Sequence, residues 1–201
     1  MTVLALVLYV AFAAVAFGWR TWVQWRQTGD TGLRLHAEPG TTQWWAKLGF
    51  VAALVAGFAA PIAGLVSLDA IPALDNATVQ MVGLILAAVG IAATTAAQVR
   101  MGASWRIGVD PTERTGLVTH GVFALVRNPI FTAMLVTALG LTLMVGNAIS
   151  LTGLAALFAA LEVQVRLVEE PYLLTVHGPD YERYSTTAGR FLPGLGRSQA
   201  G

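Results

Sequence analysis

The chain of 201 residues contains no cysteine, which excludes disulfides, a thiolate nucleophile and cysteine-held zinc or iron–sulfur centres. Its three histidines, His36, His120 and His177, are scattered, so the close spacing of a local metal site is missing and no metal is expected. Charge is scarce: 11% of residues are charged, 56% are hydrophobic, and the formal net charge is +1. No basic run is interleaved with aromatics, which sets nucleic acid aside as a partner. No Gly-x-Gly-x-x-Gly follows a strand-like run, and Gly116 to Gly121 is not followed by Lys-Ser or Lys-Thr, so a Rossmann domain and a P-loop are both excluded.

What is present is a series of long apolar runs. All twelve Lys and Arg residues fall into three clusters: Arg20, Arg26, Arg34 and Lys47; Arg100, Arg106, Arg114 and Arg127; Arg166, Arg183, Arg190 and Arg197. Between them lie uncharged segments long enough to cross a bilayer. The first runs from about Thr2 to Gly18 and ends in an aromatic and basic belt of Trp19, Arg20, Trp22, Trp25 and Arg26. A cleaved signal peptide is the competing reading, but the basic region that should precede its apolar core is missing. Further spans are expected from about Leu48 to Leu68, with Pro61 as a kink, and from about Val79 to Val99. Both carry small residues at helical spacing: Ala53, Gly57, Ala60 and Gly64; Gly83, Ala87, Gly90 and Thr94. Such stripes read as close helix packing in lipid.

Asn128 to Leu161 is uncharged for 34 residues. At about 1.5 Å per residue one helix would be about 50 Å long, too long for a hydrocarbon core of about 30 Å. Gly146-Asn147 is the natural break, giving helices from about Pro129 to Val145 and from about Ala148 to Val168. The expected fold is therefore an all-α integral membrane protein of five transmembrane helices, the last two forming a tight hairpin. The basic clusters flank alternate connections, which puts the N-terminus outside and the C-terminal tail in the cytoplasm. Two parts are expected: residues 1–99, three N-terminal membrane helices, and residues 100–201, a cofactor-binding segment, the hairpin and the tail.

Polar chemistry concentrates in the second part. In Arg127-Asn128-Pro129, Asn is a favoured N-cap and Pro a favoured first helical residue, so the fourth span should start here with its N–H groups facing the cytoplasmic surface. They suit an anionic ligand group, and equally a plain capped start with a snorkelling Arg127. On the fifth helix Glu162, Arg166 and Glu170 recur at four-residue spacing with Glu169 within reach, which places them on one face. They read either as a ligand site or as a self-neutralising interfacial cluster. Pro171 should bend or end that helix. The tail, with Tyr181, Tyr184 and Phe191, keeps aromatics and is expected to fold over the helices.

At these residues the sequence resembles the isoprenylcysteine carboxyl methyltransferase family and its phospholipid methyltransferase relatives. The resemblance rests on Leu117 to Phe123, Arg127-Asn128-Pro129, Arg166 with Glu169-Glu170, Gly178, Tyr181, Tyr184 and Arg190-Phe191-Leu192-Pro193. It covers about half of the chain. It implies S-adenosylmethionine as cofactor, with His120, Gly121, Val122, Phe123, Asn128 and Pro129 lining its pocket and Glu169 and Glu170 holding its polar groups. Arg106 and Arg166 would orient the carboxylate of a lipophilic acceptor, a small molecule or a membrane lipid. The chain departs from the usual Arg-His-Pro followed by Tyr at Asn128 and Phe131. Asn keeps a hydrogen-bonding side chain and Phe keeps the ring without its hydroxyl.

Methyl transfer from a sulfonium needs positioning and electrostatics, with no covalent intermediate or metal, which agrees with the missing Cys and metal motifs. The expected function is S-adenosylmethionine-dependent methyl transfer in a bacterial plasma membrane, at a site facing the cytoplasm. Two alternatives are a nicotinamide-dependent membrane reductase of related fold and a non-enzymatic membrane carrier or organising protein. A cofactor-binding comparison separates them.

Overall fold

A computed structural model describes residues 1–110, 114 and 116–198; residues 111–113 and 115 of the polar segment Arg100 to Arg127, and 199–201 of the tail, lie outside the described residues. The architecture is helical throughout, with two isolated bridges, Leu33 to Ile107 and Val126 to Gly189, as the extended pairings among the described residues. Helices α1 (Thr2–Thr28), α2 (Thr42–Val66), α3 (Ala77–Met101, carried on by a 3-10 turn Gly102–Ser104) and α5 (Ala148–His177) are long and apolar enough to cross a membrane. Helix α4 (Pro129–Val145) is apolar and shorter, at 17 residues, and a short polar helix α6 (Pro179–Thr187) follows α5.

Local sequence explains the boundaries. Thr41 and Asn76 cap α2 and α3, their side-chain oxygens accepting from the N–H groups of Trp44 at 3.2 Å and Val79 at 3.0 Å. Gly146, at φ +67, ends α4 in the left-handed conformation that glycine adopts without a Cβ clash. Asn147 then starts α5. Its side-chain oxygen accepts from Ser150 N–H at 3.0 Å and its amide donates to the Ala60 carbonyl at 2.9 Å, next to Pro61. One fully buried side chain thus caps one helix and ties it to another. The expected break at Gly146-Asn147 is where the chain turns.

The hairpin partners, however, pack mainly against other helices: α4 against α3, and α5 against α2. Small residues decide this. A Cβ on Gly83 would stand 2.7 Å from the Gly140 carbonyl, and one on Gly90 would stand 2.6 Å from the Thr137 nitrogen. Gly153 meets α2 in the same way, at 3.1 Å from the Ala56 Cβ. Both expected stripes are packing surfaces, since backbones approach closely where side chains are absent. Helix α1 lies across α2, α4 and α3, where Phe12, Ala16 and Met134 form one of the apolar clusters.

Two helices run further than their expected bounds. The first helix does not end near Gly18; a π-helical stretch, Ala14–Trp19, carries it on to Thr28. Pro171 does not end α5. It falls just after a second π-helical stretch, Val165–Glu169, where i→i+5 pairing has already shifted the hydrogen-bond ladder, so its missing N–H breaks little and the helix runs on to His177. Pro61 likewise sits inside an unbroken α2.

The helices alternate in direction, so the connections α1–α2 and α3–α4 and the tail lie at one end of the bundle. At the other end the α2–α3 connection is tied to the hairpin turn by Ile71 N–H donating to the Gly146 carbonyl at 2.9 Å.

Candidate functional site

The start of α4 and the carboxylates of α5 meet at the polar end, through the tail. The backbone of residues 125–128 pairs with Gly189 and Arg190: Gly189 N–H donates to the Leu125 carbonyl at 3.0 Å, Arg127 N–H to the Gly189 carbonyl at 2.8 Å and Asn128 N–H to the Arg190 carbonyl at 3.2 Å. The fit is close enough that a Cβ on Gly189 would overlap the Leu192 carbonyl. Tyr184 on α6 donates its hydroxyl to the Phe123 carbonyl at 2.7 Å, and Tyr181, Tyr184 and Ala188 form a small core with Leu117 and Leu173.

Glu170 is the centre of this arrangement. Arg190 reaches both of its oxygens, Nε to Oε1 at 2.6 Å and Nη2 to Oε2 at 2.9 Å, while Arg127 Nη2 lies 3.1 Å from Oε1. Arg127 is buried, and its Nη2 also donates to the Gly196 carbonyl at 2.7 Å. It is a structural clamp, not a residue reaching out to the interface. Charge-assisted pairs of this geometry are strong when partly shielded from water. The Glu170 hydrogen bond raises the pKa of Arg190 above its ordinary value. Burial, with the neighbouring Glu170 charge adding to it, pushes Tyr181 up to about 12; burial does the same for Tyr184, with Tyr181 contributing.

Three expected site assignments change in their surroundings. Glu170 is already occupied by two guanidinium groups, so it shapes the site and has little acceptor capacity left for a ligand. Glu162, Arg166 and Glu170, four residues apart along α5, divide their ion pairs between different partners. The exposed Arg166 pairs with Glu162, Glu170 pairs with Arg127 and Arg190, and Glu169 accepts from Gln164 at 3.2 Å across five residues. Asn128 precedes α4 as expected, but its side chain makes no capping bond; it donates instead to the Arg190 carbonyl at 3.1 Å.

The remaining expected residues are placed as follows. Pro129 and Phe123 are buried, Val122 and Asn128 half-buried, and His120 and Gly121 exposed. Arg100, at the end of α3, reaches over Gly121: a Cβ there would stand 3.2 Å from its Nη1. Glu169 is half-buried, and among the described residues its second oxygen receives no hydrogen bond. Arg106 lies apart from this cluster on the turn after α3, donating to the carbonyls of Ala103 at 2.9 Å and Trp105 at 2.8 Å. An open groove lined by Leu117, Thr119, Ala124, His177, Asp180 and Tyr184 borders the cluster.

Sequence reasoning missed the pairing of Arg127 and Arg190 with Glu170, and missed Arg100 and Gln164 as neighbours of the site. Arg190 stands in a motif that carries the resemblance, but its pairing with Glu170 has no local signal, since the two meet only because the tail folds back. Gln164 could be found only by allowing for a π-turn.

The likeness to known proteins follows the same residues. A family model described as "Phospholipid methyltransferase" matches residues 78–180, just over half of the chain. Over 113 residues the chain is 31% identical to Protein-S-isoprenylcysteine O-methyltransferase A of Arabidopsis thaliana, a match covering 55% of this chain and 57% of that protein. The chain thus spans little more than half the length of this curated relative. The structure of a eukaryotic intramembrane Ras methyltransferase, isoprenylcysteine carboxyl methyltransferase, superposes with a TM-score of 0.56 at 17% identity, covering 95% of this chain and 77% of that one. The shared fold and the apolar helices mark an integral membrane protein. By the matched region, α3 to the start of α6, the chain belongs to the phospholipid methyltransferase family.

Proposed function

We propose that the protein transfers a methyl group from S-adenosylmethionine to a lipophilic, carboxylate-bearing acceptor at the cytoplasmic face of the membrane. The observation that carries this reading is the meeting of Arg127-Asn128-Pro129 with Glu169-Glu170 at one end of the bundle, in a chain of this family. The proposal includes five membrane crossings, with α4 as the fourth, the N-terminus outside and the tail in the cytoplasm. The basic residues of the two connections and the tail at the polar end support that orientation. Residues 1–99 would receive the acceptor among their lipid-facing helices, and residues 100–201 would hold the cofactor.

The polar groups present fit this cofactor. A half-buried carboxylate with one oxygen unfilled, Glu169, suits an ammonium or ribose hydroxyls, and an exposed guanidinium over a bare glycine, Arg100 at Gly121, suits a carboxylate. His120, Val122, Phe123, Asn128 and Pro129 would supply the apolar and backbone walls. When bound, S-adenosylmethionine supplies an electrophilic sulfonium methyl and leaves as a neutral thioether. Glu170, fixed by Arg127 and Arg190, holds the end of α5 against the start of α4 and so sets the position of Glu169. Arg166 and Arg106 would orient the acceptor carboxylate without binding it so tightly that its nucleophilicity is lost.

Thermal unfolding of the detergent-purified protein, titrated with S-adenosylhomocysteine or with NADPH, tests the reading, because ligand stabilisation grows with concentration over Kd. Stabilisation by S-adenosylhomocysteine alone is expected. Stabilisation by NADPH alone, or by neither, overturns it.

A further inference from the structure

A second polar centre lies between α1 and the end of α3. Arg20 follows the π-helical stretch of α1 and is only 1% exposed, although the sequence places it in an interfacial belt. Its Nη2 donates to Gln24 Oε1 at 2.9 Å and to the Gly102 carbonyl at 2.5 Å. The guanidinium lies 4.8 Å from the ring centroid of the buried Trp105, and Gln24, itself fully buried, donates to the Ala103 carbonyl at 2.9 Å. Among the described residues no carboxylate pairs with Arg20, and both Nε and Nη1 are buried without an acceptor. The neighbouring charge that acts on it is another cation, Arg106.

If Arg20 served only to hold the end of α3, Nη2 would be enough. Leaving two donor atoms of a cation buried and unmatched is costly, and a neutral glutamine could hold the same carbonyl without that cost. The unmatched donors ask for oxygen atoms carrying negative charge. The surroundings say where such a group would come from. Trp19, Trp22 and Trp25 on the same helix are exposed at 40, 55 and 51%, which sets this turn of α1 at headgroup depth. Val99 and Arg100, at the end of α3, are exposed as well. The guanidinium is held against the short Gly102–Ser104 turn that follows, whose first two carbonyls are the ones accepting from Arg20 and Gln24.

We propose that Arg20 is the receptor for an oxyanion carried by a membrane lipid headgroup, bound between α1 and the turn after α3. Arg106, proposed above to orient the acceptor, borders this site and shares the Ala103 carbonyl with Gln24, but anion binding at Arg20 does not rest on methyl transfer. Arg suits a phosphate diester because its planar, weakly hydrated guanidinium gives several N–H groups to one anion.

The full chain reconstituted in nanodiscs tests this. Phosphatidylcholine discs are compared with discs containing phosphatidylglycerol, and with phosphatidylcholine discs in buffer containing inorganic phosphate, using Tm and native mass spectrometry as readouts. Phosphatidylglycerol is expected to raise Tm and to remain bound as one copy, with both effects lost in R20Q and kept in R26Q, which removes an exposed cation from the same helix. R20K keeps the charge and removes the fork of donors, so retention should weaken by about tenfold; it serves if R20Q does not fold. An equal rise with inorganic phosphate alone overturns the lipid source. No response of the wild type to either anion, or a response unchanged in the Arg20 variants, overturns the site.

Discussion

Arg190 grips both carboxylate oxygens of Glu170, at 2.6 and 2.9 Å, and so closes the chain between them into a loop that seats α6 against the mouth of the bundle. Arg127, 3.1 Å from the same carboxylate, makes the contact a three-way junction of α4, α5 and tail. The junction is partly shielded from water, with side-chain exposures of 18% for Arg190 and 19% for Glu170, so removing one partner leaves a poorly solvated charge behind.

Glu170→Gln and Arg190→Ala should each destabilise the protein by about 2 kcal/mol, and the double variant by less than the sum, with a coupling of about 1 kcal/mol or more. Thermal unfolding of the four proteins in one detergent measures this. Additive effects would mean that the two side chains do not hold each other.

The tail should loosen in alkali. Tyr181 and Tyr184 are held near 12 against an ordinary value of 10.0, mainly because burial disfavours the phenolate. Since the folded pKa is the higher one, their contribution to stability is complete below pH 10.0 and is lost as the pH rises towards about 12. Phenolate absorbance should follow release of α6, and Tyr184→Phe, which loses only the hydroxyl bond to Phe123, should narrow the effect.

Between α3 and α4 the backbones leave no room for a side chain. Gly140→Ala would bring a Cβ to 2.6 Å from the Gly83 carbonyl and 2.8 Å from the Ala87 Cα. The helices must part, at a cost of about 1–3 kcal/mol in unfolding free energy. Gly18→Ala, at a glycine with open space around it, is the matched control and should be neutral or slightly stabilising.

Much of this bundle was legible in the sequence because lipid imposes simple rules. Apolar run length, the Gly146-Asn147 break and the glycine stripes each follow from one local constraint, and α4 falls where those constraints put it. The π-helical stretches at Ala14–Trp19 and Val165–Glu169 have no such signature. They change the phase of a helix without changing its composition: Arg20, just past the first, is turned inward from an expected belt, and Gln164 meets Glu169 five residues on across the second. The junction of Glu170 with Arg127 and Arg190 was hidden for another reason: it joins residues brought together only by the folded tail.

The two adjacent glutamates should now separate by behaviour. Glu170 is filled by arginines, whereas among the described residues Glu169 accepts one hydrogen bond, from Gln164, on one of its two oxygens. Glu169→Gln preserves size and the ability to bond, but it loses the charge that would hold an ammonium or strengthen a bond from ribose hydroxyls. It should weaken S-adenosylhomocysteine binding by about tenfold or more, the loss of one charge-assisted hydrogen bond, while leaving Tm of the unliganded protein nearly unchanged. Glu170→Gln should lower Tm first and weaken binding only through misplacement of its neighbour. Calorimetric titration beside thermal unfolding of both variants distinguishes the roles. If Glu169→Gln binds like the wild type while the protein remains folded, Glu169 does not hold the cofactor.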